Sequence, residues 1–168
     1  MPGYSLLASP ILYPGQTVRA GVAADRGNER PVICRLYFRT YGANAAITLH
    51  LVTAGGIGAR VQGMRRYYAL LLCTDGKARL IKALDGDTVL AETDFAWEFG
   101  GTYEFSPQVA GRHLQASMNG QVLFSVDDTN RPLTGGGVAL VCEEGCISSD
   151  AVTVQSYNTG AQMEGVKR

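Results

Sequence analysis

The sequence lacks an excess of charge of either sign. Lys and Arg number 15, Asp and Glu number 15, and the formal net charge is zero. No basic stripe argues for nucleic acid and no polybasic run argues for a membrane surface. No apolar run is long enough to span a bilayer as a helix. The opening MPGYSLLASPILYPGQ has neither the basic head nor the unbroken apolar stretch of a signal peptide, and Pro10 and Pro14 interrupt it. The expectation is a cytoplasmic chain or a piece of a longer protein.

Cysteine is sparse and scattered. Cys34, Cys73, Cys142 and Cys146 form no Cys-x-x-Cys pair. Cys142 and Cys146 flank Glu-Glu-Gly, which reads as a hairpin turn that would set them opposite each other. Free thiols are the default in a cytosolic setting. A zinc site would need histidine partners, and His50 and His113 are far apart in sequence. Helical periodicity is nearly absent too.

What remains is a β pattern. The chain of 168 residues is 46% hydrophobic with 21 glycines, enough for one packed core with many tight turns. Short apolar or alternating runs are punctuated by Gly, Asp or Asn. The expected strands are 16–23, 31–40, 46–52 (closed by Gly55-Gly56), 57–62, 67–73, 78–84, 88–93, 102–109, 112–118, 121–126, a VALVCEE run after Gly135-Gly136-Gly137, and 151–156. Thr74-Asp75-Gly76-Lys77, Asp85-Gly86-Asp87 and Asn119-Gly120 read as turns, the last being the strongest two-residue hairpin signal. Pro107 marks an edge or a bulge. The segment from Tyr157 onward reads as a flexible tail. Some ten to thirteen strands, with no linker between them, give an all-β sandwich spanning 1–156.

Five pieces, in order, carry a family resemblance. They are GGIGARVQGMRRYYALLL, DGKARLIKALDGDTVLAE, WEFGGTYEF, GRHLQASMNGQVLFSVDD and LTGGGVALVCEEGCISSDAVTV. From Gly55 to Val154 the chain resembles the concanavalin A-like lectin/glucanase superfamily, the jelly-roll group that includes laminin-G-like domains. The leading LLASPILYPGQTVRAGVAAD resembles accessory β-domains of bacterial glycoside-processing enzymes, ADP-ribosylglycohydrolase-like proteins among them. The resemblance implies a jelly roll of two antiparallel sheets and a carbohydrate ligand, with a parent catalytic domain as a further partner. It departs from the family at Ser148-Ser149-Asp150, where larger or acidic groups are usual. A structural calcium would rest there on Asp150 alone.

Two constellations fit that implication. Glu92, Asp94 and Glu98 resemble the Glu-x-Asp-x-(x)-Glu strand motif of the superfamily's glycosidases, whose retaining pair needs carboxyls about 5–5.5 Å apart. The spacing from Asp94 to Glu98 is one residue too long, so the plainer reading is a strand end with solvated carboxylates. The second is a sugar platform. Tyr67, Tyr68, Trp97 and Tyr103 supply rings, and Arg60, Gln62, Arg65, Arg66, Arg79 and Gln115 supply hydrogen bonds. Alternation places Tyr68, Leu70 and Leu72 on one face and Tyr67, Ala69 and Leu71 on the other. One tyrosine should therefore pack in the core and the other face outward. No Gly-x-Ser-x-Gly motif exists, neither histidine has a motif around it, and the Gly135 run lacks the Lys-Ser/Thr of a phosphate loop. The reading is a non-catalytic carbohydrate-binding accessory module. The alternatives are a glycoside hydrolase or lyase using Glu92, Asp94 and Glu98, and a structural or oligomerisation domain.

Overall fold

The computed structural model describes residues 40–63 and 65–156, with three two-residue strands in the preceding segment. These are β1 (Tyr4–Ser5), β2 (Thr17–Val18) and β3 (Ile33–Cys34), which continue the ladder beyond the last strand. The other elements are β4 (Tyr41–Gly63), β5 (Arg66–Cys73), β6 (Lys77–Leu84), β7 (Asp87–Asp94), β8 (Thr102–Ala110), β9 (His113–Met118), β10 (Gln121–Asp127) and β11 (Gly137–Ser156). All the described elements are strands. The expected tail, 157–168, lies outside the described residues, as does most of the segment before residue 40.

The two long strands make the architecture. The first half of β4 pairs with β8, its second half pairs with β5, and β11 runs beside nearly its whole length. Each thus passes from one layer to the other. One layer reads β10-β9-β8-β4-β11, and the other reads β11-β4-β5-β6-β7. Every pairing is antiparallel. Two expectations are corrected here. Gly55-Gly56 does not end a strand, and Glu143-Glu144-Gly145 is not a hairpin turn. Both lie inside continuous strands, so Cys142 and Cys146 sit on one strand rather than facing across two. Cys73 and Cys146 are free thiols.

Glycine is needed at these places for room and for backbone angle. A Cβ on Gly56 would overlap the Leu70 carbonyl oxygen, and one on Gly145 would overlap that of Leu51. Gly145 also has φ +148°, a region that side chains disfavour. A register shift follows it, between Gly145 and Ile147, where β11 turns from one layer to the other. Pro107 is also placed differently from expectation. It lies in β8, which is paired on both sides, where the ladder to β4 skips between Gln108 and Phe105. The missing N–H of proline is absorbed by that gap.

The main core fills the space between the layers. Tyr41, Ile47, Leu49, Phe105, Leu114 and Met118 of one layer meet Ile57, Tyr68, Leu70, Leu72, Leu80 and Leu140 of the other. A second cluster lies on the opposite face of β5 and β6. There Tyr67, Ala69, Leu71, Ile81, Ala83, Val61, Ala139 and Val141 are all buried. The alternation along β5 is therefore as expected, but its consequence is not. Tyr67 and Tyr68 are each 1% exposed, so neither faces solvent.

Candidate functional site

The two outer faces of the sandwich differ. The outer side of the β5–β6 layer is apolar and sealed. The outer side of the β8–β9–β10 layer is open and lined by polar side chains, mostly amides and hydroxyls with Glu104, His113 and Asp127 among them. Strict alternation produces this. In β8 and β9, Phe105, Pro107, Val109, Leu114, Ala116 and Met118 turn inward, and the residues between them turn outward.

Register aligns the outward side chains in rows. Gln155 and Gln108 stand on either side of Gly42, Gln108 pairs with Gln115, and Gln115 pairs with Ser125. The next row holds Thr153, Asn44, Ser106 and Ser117, with the Asn44 amide donating to Ser106 Oγ at 2.6 Å. Further along, Thr48 and Thr102 hydroxyls are 2.7 Å apart, and Ser148 pairs with Thr48. Five strands at about 4.8 Å spacing give such a row a span of roughly 20 Å. Gln115 is the one platform residue named from the sequence that lies here.

The other sequence candidates go elsewhere and do not converge. Tyr68 donates to Asp128 Oδ2 at 2.7 Å and accepts from the Leu133 N–H at 2.8 Å, deep in the core. Burial, and then the hydrogen bond to Asp128, push its hydroxyl pKa well above the ordinary tyrosine value. Burial does the same for Tyr67, with Asp87 and Glu143 adding to it. Tyr103 is half-buried, and its hydroxyl accepts from the Glu98 N–H at 3.0 Å. Arg65 and Arg66 are exposed at the β4–β5 turn. Gln62 donates to the Gly135 carbonyl at 2.8 Å. Trp97 is half-buried and donates through Nε1 to the Cys73 carbonyl at 2.8 Å. Its ring meets Phe99 edge-on at 5.6 Å, and Phe99 is half exposed.

The three carboxylates of the glycosidase-like motif are also separated. Glu92 and Asp94 share one face of β7, as alternation requires, but each is engaged by its cross-strand neighbour. Arg79 Nε lies 2.8 Å from Glu92, and Lys77 Nζ lies 2.9 Å from Asp94. Arg79 also bonds Asp75, and these contacts raise its pKa further. Glu98 stands exposed on the following loop. Cys73 adjoins Arg79, yet burial dominates and raises its thiol pKa, so it is not an activated thiolate. Among the described residues no three His, Cys, Asp or Glu side chains gather as metal ligands. Asp150 lies in β11, with its side chain outside the described residues.

One polar centre escaped the sequence reading altogether. Lys82 and Asp128 form a buried ion pair at 2.7 Å, with side chains 6% and 3% exposed. The ammonium also donates to the carbonyls of Asn130 and Arg131, the latter at 2.9 Å. One carboxylate and two carbonyls are the ligand types of a calcium site, and here they enclose an ammonium. Beside it Arg60 is buried and donates to the carbonyls of Gly111 and Leu133. Together these groups fasten the 128–136 loop across one end of the sandwich. The only sequence trace is a lysine in the apolar run RLIKAL.

Comparison with solved structures places the fold. The chain superposes on the carbohydrate binding module CBM66 from Bacillus subtilis with TM-score 0.67 and 14% identity, over 88% of this chain and all of that one. It superposes on a GH43 protein, BlXynB, from Bacillus licheniformis with TM-score 0.59 and 13% identity, covering 74% of this chain but 29% of that one. A Caenorhabditis elegans galectin, LEC-6, matches with TM-score 0.52 and 11% identity, over 91% and 96% of the two chains. No family model and no curated protein sequence matches the chain. The fold is the jelly-roll sandwich of the concanavalin A-like lectins.

Proposed function

We propose that the protein is a carbohydrate-binding module and that the glycan lies on the open outer face of the β10-β9-β8-β4-β11 layer. The observation that carries this reading is the row Gln155, Gln108, Gln115 and Ser125, with Asn44, Ser106 and Thr153 beside it. Amides and hydroxyls both donate and accept, which suits a ligand whose surface is mostly hydroxyl. The fold shared with a carbohydrate binding module supports the same reading. The sealed face of Tyr67 has no comparable opening.

Replacing both Gln108 and Gln115 by Ala is expected to weaken glycan binding about 10-fold or more, at roughly 0.5–1.5 kcal/mol per hydrogen bond lost. Isothermal titration against a glycan identified by screening measures it. Gln108 is exposed and Gln115 half-buried on the surface, so the melting midpoint should stay where it is. Unchanged affinity would remove this face from the site. Chelator is expected to leave binding unchanged, since the proposed contacts are uncharged side chains that meet sugar directly. Loss of binding with chelator would instead assign a calcium, with Asp150 as the first ligand to test.

A second reading places the glycan at the loop tip. Phe99 is 50% exposed and edges on Trp97, and Leu51 is 72% exposed at the bend of β4. An exposed ring is what stacking on a pyranose needs. Loss of binding in Phe99→Ala with the Gln108/Gln115 variant unaffected would favour it.

A further inference from the structure

At one edge of the open face, Ser125 of the glycan row also belongs to a hydrogen-bonded chain with His113 and Asp127. His113 Nδ1 lies 2.6 Å from Asp127 Oδ1, and His113 Nε2 lies 3.0 Å from Ser125 Oγ. Ser125 and Asp127 are two apart on β10, so their side chains share a face. His113 is the cross-strand partner of Asp127 on β9. We propose that Ser125, His113 and Asp127 form a serine hydrolase centre whose substrates are acyl esters, in particular O-acyl groups carried on a polysaccharide. The polysaccharide part of this assignment rests on the glycan-binding reading. The ester chemistry does not.

The protonation pattern follows from the contacts. An ionised carboxylate can only accept, so Asp127 requires the proton to be on Nδ1. Nε2 of the neutral ring then carries a lone pair, and Ser125 must donate to it. That is the order of roles in a serine–histidine–aspartate triad. A second pair gives an internal contrast. His50 Nε2 and Ser148 Oγ are also 3.0 Å apart and exposed, but no described carboxylate hydrogen-bonds to the His50 ring. There the tautomer is not set.

In the acylation step Ser125 Oγ attacks the ester carbonyl carbon while its proton passes to His113 Nε2. The tetrahedral intermediate collapses, the C–O bond to the alcohol breaks, and the alcohol leaves with the proton from Nε2. Water then gives a proton to Nε2 and attacks the acyl-serine. The carboxylic acid departs and Ser125 Oγ takes the proton back. Asp127 is a positioning residue that holds the imidazole and stabilises the imidazolium. The side-chain amide nearest in register is that of Gln115, directly opposite Ser125, and it is the donor available for the oxyanion.

The openness of the site selects the substrate class. His113 and Asp127 side chains are 46% and 48% exposed, so among the described residues the pair stands open on the face. An ester presented by a chain lying along the amide and hydroxyl rows is held by the face rather than by a cavity.

The test uses the whole chain and two probes that need no glycan. A fluorophosphonate should label Ser125 and not Ser148, read by peptide mass. p-Nitrophenyl acetate should be hydrolysed. Ser125→Ala should cut the rate at least 10-fold, and Asp127→Asn should cut it while leaving the fold intact by circular dichroism. Absence of labelling, equal labelling of Ser125 and Ser148, or an unchanged rate in Ser125→Ala would overturn the proposal. Each of these leaves glycan binding to be judged by its own titration. Labelling without glycan binding would keep the hydrolase centre and reject the polysaccharide as its carrier.

Discussion

Lys82→Met is expected to destabilise the protein by about 3–5 kcal/mol at neutral pH. Removing the ammonium strands the Asp128 carboxylate, which is 3% exposed and has only Tyr68 and the Asn130 N–H left to bond it. It also frees the Asn130 and Arg131 carbonyls. The sign of the pH dependence separates this cause from lost packing. In the native protein burial pushes the Asp128 carboxyl up, but the hydrogen bonds from Lys82, Tyr68 and the Asn130 N–H outweigh it and hold the pKa below the ordinary value. A depressed carboxylate contributes stability that is full above its unfolded pKa and is lost as pH falls through the folded one. Without the ammonium the carboxyl is buried and its pKa rises, so the variant loses stability as pH rises. The gap between the two proteins should therefore narrow as pH falls toward about 4. Urea unfolding at several pH values measures it. The exposed pair of Lys77 and Asp94 is the control, and Lys77→Met should leave the midpoint unchanged. A Lys82→Met protein as stable as the parent would contradict the role given to the pair.

Gly56→Ala is expected to cost about 4 kcal/mol or more, enough to unfold much of a domain whose total stability is on the order of 5–15 kcal/mol. Gly56 stands between Leu71 of β5 and Val141 of β11, paired on both sides. The added methyl group meets the Leu70 carbonyl and lies 3.0 Å from the Phe105 ring. Backbone on one side and core on the other leave it nowhere to go. Gly63 lies in the same strand, and a Cβ there meets nothing within 4 Å. Gly63→Ala should stay within about 0.5 kcal/mol of the parent. Equal midpoints for the two variants, by circular dichroism melting, would show that β4 does not run continuously through Gly56.

These glycines also explain where the sequence misleads. Gly-Gly and Glu-Glu-Gly are turn signals in isolation. In β4 and β11 they are the positions where a second backbone approaches or a strand bends, and only the tertiary partner distinguishes the cases. The alternation of β8, β9 and β10 was legible, as was the Asn119-Gly120 hairpin, where φ is +53° and +81°. The two-sided apolarity of β5 was legible too. What could not be read was that its second face is covered as well, so aromatic content pointed to Tyr67 and Tyr68 when the open surface is built of Gln, Ser, Thr and Asn. The Lys82–Asp128 pair joins residues far apart in sequence and leaves no local pattern.

The triad is hidden for a more specific reason. From Met118 opposite Gln121, a regular ladder would put His113 opposite Val126. The register shift between Val122 and Phe124 moves it opposite Asp127 instead. One bulged residue keeps Phe124 and Val126 inward and brings Ser125, His113 and Asp127 together.

Glycan binding on the open polar face can be tested without knowing the sugar in advance. The most direct measurement is a glycan-array and polysaccharide pull-down screen of the purified chain, with the Gln108→Ala/Gln115→Ala protein beside it. The parent is expected to bind a defined glycan, and the folded variant to lose that binding. A folded parent that binds no glycan, or a variant that binds as well as the parent, would contradict glycan binding on this face.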